Sequence, residues 1–88
     1  MDKGKKKILE LRTPDLGDSD KIELVKWYVA EKSKVEIGDE ILELVTDKAS
    51  FPVESPTRGI LIEILVKEGE LVVKNQILGK LELEESSE

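Results

Sequence analysis

Residues 40–54 read EILELVTDKASFPVE, in which Leu42 and Leu44 on one side of Asp47-Lys48, and Phe51 and Val53 on the other, recur at every second position. Apolar residues at every second position are typical of a β-strand with one buried face. If Asp47 and Lys48 form a two-residue turn, these apolar residues face each other on one side of a hairpin. The facing pairs are then Thr46 with Ala49, Leu44 with Phe51, and Leu42 with Val53. A shift of one residue would scatter these side chains over both faces, so the pattern predicts a hairpin with Lys48 at its tip.

The hairpin alone gives Lys48 no function. Asp-Lys is not a pair that favours a primed two-residue turn, which leaves the type of turn open. An exposed lysine on a turn is ordinarily a solvated charge. Evidence for a further role of Lys48 must come from the rest of the chain.

Short segments with strand character fill the chain on both sides of this hairpin, separated by Gly, Pro, Asp and Lys residues. No segment has the periodicity of a long amphipathic helix. The predicted strands are Ile8–Thr13, Lys21–Val29, Lys34–Ile37, Glu40–Thr46, Ala49–Glu54, Gly59–Lys67, Leu71–Val73 and Ile77–Leu83. The pattern predicts an all-β fold, either a sandwich or a flattened barrel.

An internal repeat indicates two similar halves. The positions that align at a spacing of 37 residues are 24–29 with 61–66, Glu31 with Glu68, and Val35 with Val72. After a slip of one residue, Ile41-Leu42 aligns with Ile77-Leu78. The match lies mainly in the apolar pattern, so either the chain is a duplicated β-unit or two unrelated β-meanders look alike. A duplication predicts two similar sheets that face each other across one core.

Single aromatic residues and glycines have structural interpretations. Trp27 and Phe51 lie in apolar strands, where we expect them to pack against the core or a sheet face, with Tyr28 on the face opposite Trp27. Three glycines are predicted to be turn residues that need unusual backbone angles. They are Gly38, Gly59 and Gly69.

The composition narrows the functions open to the chain. Its 88 residues carry 14 Lys+Arg against 20 Asp+Glu, for a formal net charge of −6, and include neither Cys nor His. Without those two residue types there is no imidazole base, no Ser-His or Cys-His nucleophile pair and no nitrogen- or sulfur-ligated zinc. The acidic balance argues against nucleic acid as a main partner. No apolar run approaches the roughly 20 residues that span a bilayer, which argues against a membrane.

Polar segments frame the predicted domain, residues 8–83. Residues 1–7 contain a cluster of lysines, and residues 84–88 read EESSE, which is too polar to pack. We expect the first to be a flexible basic tail and the second to be an acidic tail or the start of a linker. The absence of Cys agrees with a reducing compartment. The expected location is the cytoplasm of a bacterium or archaeon, or the mitochondrial matrix.

An ordered series of motifs resembles one family across nearly all of residues 8–83. Thr46-Asp47-Lys48-Ala49 is similar to the lipoyl attachment site of lipoyl domains from the acyltransferase components of 2-oxo acid dehydrogenase complexes. The other matching stretches are Pro14-Asp15-Leu16-Gly17, residues 25–29, Val35-x-x-Gly38-Asp39, residues 52–56 with Gly59, and Val66-x-Glu68-Gly69. The fold that this resemblance implies consists of two four-stranded antiparallel sheets related by a pseudo-two-fold axis.

The resemblance also implies a function for the turn. Lipoate would be attached to Lys48, and Thr46, Asp47 and Ala49 would form the motif that a lipoate ligase reads. The modified side chain would act as a swinging arm that takes an acyl group from a thiamine-dependent 2-oxo acid decarboxylase. The acyltransferase catalytic domain would pass this group to coenzyme A, and dihydrolipoamide dehydrogenase would reoxidise the arm. The domain itself would be monomeric.

Partner recognition is expected near the turn. In this family the loop after the first strand lies beside the attachment site, and here that loop reads LGDSDK at 16–21, where relatives often have Gly-Glu-Gly. The candidate recognition residues are Asp18, Ser19, Asp20 and Glu43. With Asp47 the acidic members would form a patch for a basic surface of the decarboxylase. The other interpretation is that these charges are spread apart and only maintain solubility. Val45, where many relatives carry an acidic residue, is a second departure.

The missing residue types limit the role of the chain. Acyl transfer to coenzyme A in this family uses a histidine on a separate domain, and this chain has none. We therefore expect a non-catalytic carrier domain and no enzyme activity of its own. The alternatives are a biotinyl carrier domain on the same fold, which would normally show Met-Lys-Met at the target lysine, and an unmodified hammerhead adaptor.

Overall fold

Eight β-strands run through the residues that the computed structural model describes, 7–17 and 21–83. They are β1 (Ile8–Arg12), β2 (Ile22–Trp27), β3 (Lys34–Val35), β4 (Glu40–Val45), β5 (Ser50–Glu54), β6 (Gly59–Ile64), β7 (Glu70–Val72) and β8 (Ile77–Leu83). Each corresponds to one predicted strand, and most are shorter by one to three residues at an end. None of the described segments forms a helix long and apolar enough to cross a membrane.

The strands form two four-stranded antiparallel sheets, which confirms the predicted fold. One sheet has the order β1-β8-β6-β3 and the other β5-β4-β2-β7. Their inner faces bury an aliphatic core, whose members with no exposed surface are Leu24, Ile41, Leu42, Leu44, Leu61, Leu78 and Leu81. Because branched aliphatic side chains fill this layer from both sheets, burial of apolar surface stabilises the sandwich.

The two sheets are related by a pseudo-two-fold axis, and the repeat of 37 residues is its sequence signature. The pair Glu23 and Val45 in one sheet corresponds to Ile60 and Glu82 in the other. Irregularities in the register also recur, between Leu24 and Lys26 in β2 and between Leu61 and Glu63 in β6. Hydrogen bonds cross between the halves in equivalent pairs, from Lys32 N to Leu61 O at 2.6 Å and from Gly69 N to Leu24 O at 2.7 Å.

The predicted slip of one residue in the second half of the repeat is wrong. Tyr28 N donates to Ile41 O at 2.7 Å, and the equivalent bond runs from Leu65 N to Leu78 O at 2.9 Å, so Ile41 corresponds to Leu78. Leu42 then corresponds to Gly79. A Cβ at Gly79 would lie 2.8 Å from the backbone carbonyl oxygen of Glu63 and 3.1 Å from the Trp27 ring, so the neighbouring strand and the ring together leave no room for a side chain. The alignment of apolar residues slipped because it had no leucine to match at this position.

Two of the three glycine predictions are confirmed and one is wrong. Gly38 and Gly69 have φ angles of 89° and 91°, which favour glycine. Gly59 does not have a positive φ angle. It is buried in β6, where a Cβ would overlap the backbone carbonyl of Glu82 in β8. Gly59 is therefore required by the close approach of two strands.

The β4–β5 turn and the paired ends of β1 and β8 lie at opposite ends of the molecule. β7 reaches the turn end, since its Val72 pairs with Ile22 next to the Glu23–Val45 pair. A short connection then leads into β8, which runs away from that end for about 20 Å at the usual rise per residue. At its far end Leu83 N donates to Lys7 O at 2.9 Å. This bond is the pseudo-symmetric counterpart of the bond from Thr46 N to Ala49 O, which closes the β4–β5 turn.

Candidate functional site: the Thr46–Ala49 turn

The β4–β5 hairpin has the register predicted from its apolar pattern. The paired residues are Leu42 with Val53, Glu43 with Pro52, Leu44 with Phe51, and Val45 with Ser50. Thr46 N then donates to Ala49 O at 2.9 Å, which closes a two-residue turn at Asp47-Lys48. The prediction that Lys48 lies at a hairpin tip is therefore confirmed. Leu44 is fully buried and Phe51 is half-buried.

The turn is not of a primed type. Among the described residues, a positive φ at a non-glycine position occurs only at Lys32 and Asn75, so both Asp47 and Lys48 have negative φ angles. Primed turns require a positive φ at one or both central positions. The Thr46 hydroxyl supplies the local bonds instead, since its Oγ1 accepts the Lys48 N–H at 3.1 Å and the Ala49 N–H at 3.2 Å. The same hydroxyl is 3.3 Å from Ala49 O, to which it donates.

The side chains beyond Thr46 project into solvent. Asp47, Lys48 and Ala49 are all exposed, whereas Thr46 is only 8% exposed. In the part of the chain that the structure describes, no ion pair or side-chain hydrogen bond is formed by Asp47 or by the Lys48 amine. The arrangement offers an exposed primary amine on a flexible stem at the tip of a hydrogen-bonded hairpin. That geometry suits covalent attachment of a group that must reach other proteins.

The segments flanking the predicted recognition loop are at the same end of the molecule. Lys21 leads into β2 beside the β4 residue Val45, so the loop rejoins the sheet next to the turn. At the other side of the loop, Gly17 N donates to Asp15 Oδ1 at 3.1 Å and Asp15 forms a salt bridge with Lys74 at 3.7 Å. Three predicted recognition residues, Asp18, Ser19 and Asp20, lie outside the described residues.

The fourth predicted recognition residue, Glu43, accepts a hydrogen bond from Tyr28. The Tyr28 hydroxyl donates to Glu43 Oε1, and this bond, aided by partial desolvation and the charge of Glu40, raises the pKa of Tyr28 above its ordinary value of 10.0. Glu43 also lies four residues before Asp47, which is about 13 Å along an extended strand. The structure therefore does not bring Glu43 and Asp47 together at the turn.

Two exposed apolar residues near the turn were not singled out from the sequence. Leu71 and Val73 are 60% and 67% exposed, on or directly after edge strand β7. Leu71 pairs with Glu23, which in turn pairs with Val45, so it lies two strands away, about 10 Å, from the strand that leads into the turn. The sequence contains no signal for their exposure, because an apolar residue in a short strand does not show which face it occupies.

A shallow groove lies further along β2, away from the turn, and Trp27 and Ile64 are among the residues that line it. Both N–H groups of Trp27 donate hydrogen bonds within the protein. Its indole Nε1 donates to Val66 O at 2.8 Å and its backbone N–H donates to a Glu68 carboxylate oxygen at 2.8 Å. The half-buried ring packs against the core, which agrees with the predicted role of Trp27 as a packing anchor, and Tyr28 next to it is exposed.

Comparison with known proteins finds a family that covers most of the chain. The biotin/lipoyl family model, described as "Biotin-requiring enzyme", matches residues 9–81. In solved structures, the chain is similar to the lipoyl domain of the 2-oxoglutarate dehydrogenase complex from Azotobacter vinelandii, with a TM-score of 0.71 and 25% identity. That likeness covers 82% of this chain and 92% of the other.

The sequences similar to this chain are short segments of much longer proteins. The chain is 40% identical over 74 residues to the dihydrolipoyllysine-residue succinyltransferase component of the 2-oxoglutarate dehydrogenase complex from Buchnera aphidicola, which is 83% of this chain and 19% of that protein. It is 31% identical over 80 residues to the dihydrolipoyllysine-residue acetyltransferase component of the pyruvate dehydrogenase complex from Staphylococcus epidermidis, which is 90% of this chain and 18% of that protein. The chain thus spans less than a fifth of the length of either relative.

Proposed function

Because the chain belongs to the family of biotin- and lipoyl-attachment domains, we propose that it is a lipoyl carrier domain of a 2-oxo acid dehydrogenase acyltransferase component, modified on Lys48. The observation that carries the proposal is the position of this lysine. Lys48 is exposed at the tip of a two-residue hairpin turn whose backbone is held by Thr46. A covalent arm at this position extends away from the protein, where other active sites can reach it.

The residues around Lys48 favour lipoate over biotin. Lipoyl domains of this family carry the sequence Asp-Lys-Ala, which stands here as Asp47-Lys48-Ala49, whereas biotinyl domains normally have methionines on both sides of the lysine. The similar acyltransferase components are also named for a dihydrolipoyllysine residue. Asp47 places a charge next to the target amine, so a ligase pocket for this turn would have to differ from one built for Met-Lys-Met.

The structure of the chain fits attachment of this group. The Lys48 Nζ, deprotonated by the ligase, would attack the carbonyl carbon of lipoate that has been activated with ATP. The activating group would leave, and the resulting amide carries no positive charge. Neither Lys48 nor Asp47 has an ion pair in the described part of the chain that the amide would break. When bound, lipoate supplies a disulfide that accepts an acyl group and is later reoxidised. The contribution of the protein is to hold the attachment point rigidly while the arm moves.

The proposed partners follow from this role. They are a thiamine-dependent 2-oxo acid decarboxylase, an acyltransferase catalytic domain for coenzyme A, dihydrolipoamide dehydrogenase and a lipoate ligase. The β1 and β8 ends that would lead to any neighbouring domain lie at the end opposite Lys48. A tether at that end leaves the turn free on all sides, which suits an arm that must visit several sites. The 2-oxo acid is proposed only as a class, since the similar proteins belong to two different complexes.

The test is to incubate the purified chain with lipoate ligase, lipoate and ATP, and in parallel with biotin ligase, biotin and ATP. Intact-mass analysis of each sample then reports the attached group. We expect one lipoyl adduct per chain in the first sample and none in the second. A biotin adduct without a lipoyl adduct would assign the chain to biotinyl carriers. A folded chain that takes neither group would make the adaptor interpretation correct.

Acyl loading tests the second half of the proposal. The lipoylated chain is mixed with a thiamine-dependent decarboxylase and its 2-oxo acid, using 2-oxoglutarate and pyruvate systems side by side. We expect an added acyl mass with at least one of the two systems. Lipoylated chain that remains unacylated with both would contradict the proposed role in these complexes, while leaving the attachment itself intact.

A further inference from the structure

The Thr46 side chain is buried at the base of the turn, and its hydroxyl forms hydrogen bonds with the turn backbone. It is 8% exposed, and its Oγ1 contacts three backbone groups of Lys48 and Ala49. It accepts the N–H groups of Lys48 and Ala49 at 3.1 and 3.2 Å and donates to the Ala49 carbonyl at 3.3 Å. Asp47, Lys48 and Ala49 are therefore exposed to an approaching protein, whereas the Thr46 hydroxyl is already hydrogen-bonded to the turn backbone.

We propose that Thr46 is a positioning residue for the modification of Lys48: its hydroxyl fixes the backbone of the turn so that the ligase meets the lysine in one orientation. This inference rests on the proposed function. It also changes the role predicted for Thr46 from the sequence, because the ligase would read Asp47, Lys48 and Ala49 directly and Thr46 only through the conformation that it imposes.

The type of turn explains why such a residue is needed. A two-residue hairpin turn normally matches the twist of its strands by positive φ angles, and neither Asp47 nor Lys48 has one. A turn without that match tends to splay its strands. Here one side chain accepts the Lys48 and Ala49 N–H groups and donates to the Ala49 carbonyl, and a backbone bond from Thr46 N to Ala49 O at 2.9 Å closes the turn. Removal of the hydroxyl would leave those N–H groups to water and loosen the direction of the lysine stem.

The role is distinct from a general contribution to folding. The turn residues after Thr46 are exposed, so loosening them removes little buried surface. Valine has nearly the shape of threonine but lacks the hydroxyl, whereas serine keeps the hydroxyl and loses only the methyl group. The pair Thr46→Val and Thr46→Ser therefore separates the hydrogen bonds from the packing at this position.

The experiment compares the steady-state rate of lipoylation of the wild-type chain, Thr46→Val and Thr46→Ser by one lipoate ligase. We expect kcat/KM for Thr46→Val to fall by about tenfold or more, and that for Thr46→Ser to stay within about threefold of wild type. Amide hydrogen exchange at Lys48 and Ala49, followed by NMR, should accelerate in the valine variant only. Acetylation of Lys48 by a small amine-reactive ester, followed by mass spectrometry, should proceed at the same rate in all three chains, because the amine remains exposed.

Each result decides between positioning and the alternatives. Thr46→Val that is lipoylated at the wild-type rate, or Thr46→Ser that is as poor as Thr46→Val, would overturn the role of the hydroxyl. A thermal midpoint of Thr46→Val far below that of Thr46→Ser would show a structural role instead. A wild-type chain that takes no lipoate would overturn the proposed function itself, and this failure is distinguishable because it precedes any comparison of variants.

Discussion

Glu31 and Glu68 are equivalent residues across the pseudo-two-fold axis, and each accepts a backbone N–H from the opposite half of the molecule. A carboxylate oxygen of Glu68 accepts the Trp27 N–H at 2.8 Å, and one of Glu31 accepts the Ile64 N–H at 2.8 Å. Trp27 and Ile64 are the last residues of β2 and β6, where the chain leaves each of the two sheets. The two carboxylates therefore connect the loop of one half to the strand end of the other.

This symmetry predicts that the two contacts contribute equally to stability. Glu31→Ala and Glu68→Ala should each lower the free energy of unfolding by about 1 kcal/mol, since each leaves a strand-end N–H without its acceptor. Glu31→Gln and Glu68→Gln should cost less, because the amide oxygen remains an acceptor. Urea unfolding followed by the fluorescence of the single tryptophan measures all four variants. A loss confined to one half would contradict the equivalence of the two contacts.

A second prediction concerns the closest approach of two strands. A Cβ at Gly59 would overlap the Glu82 carbonyl, so Gly59→Ala should lower the free energy of unfolding by about 2–3 kcal/mol. Gly38→Ala is the matched control: the space around Gly38 is open and only its φ of 89° is unfavourable, so this variant should cost about 1 kcal/mol. Chemical denaturation of the two variants gives the comparison. Equal costs would mean that the β6–β8 approach is not what requires glycine.

The sequence predicted the features that depend on local pattern. The apolar pattern of residues 40–54 predicted the hairpin register, because that register places Leu42 opposite Val53 and Leu44 opposite Phe51 on one face. The repeat predicted two related sheets, but the alignment slipped at Gly79, which occupies the position of Leu42 in the other half because close contacts with the Glu63 carbonyl and the Trp27 ring leave no room for a side chain. The bond between Tyr28 and Glu43 joins the residue directly after β2 to β4, and the pairing of these two strands contains a register irregularity that the residue pattern does not predict. Features that depend on pairing between distant strands were thus the ones that the sequence did not reveal.

The Tyr28–Glu43 hydrogen bond predicts a measurable titration. The carboxylate of Glu43 raises the pKa of Tyr28 above 10.0, chiefly by accepting its hydrogen bond. Because the pKa is higher in the folded state, the contribution of Tyr28 to stability is complete below about pH 10 and is lost as the pH rises through the folded value. The ultraviolet absorbance of tyrosinate follows this single tyrosine directly. In Glu43→Gln the pKa of Tyr28 should fall toward 10.0, and an unchanged titration would contradict the contact.

The lysine at the turn predicts a separation of function from stability. Lys48→Arg should abolish lipoylation, because a guanidinium does not form the amide, and should leave the thermal midpoint within about 1 °C since the side chain is exposed. Lys67→Arg is the control, since Lys67 is also exposed but lies near the groove beside Trp27. It should be lipoylated like the wild type. Full modification of Lys48→Arg would show that another lysine is the target.

Peptide mapping of the lipoylated wild-type chain by tandem mass spectrometry tests the central claim most directly. After digestion, the fragment spectra assign the added lipoyl mass to one lysine. We predict that the group is found on Lys48 alone, in stoichiometric amount, with every other lysine unmodified. A lipoyl group on any other lysine, or one shared among several, would contradict the assignment of the Thr46–Ala49 turn as the attachment site.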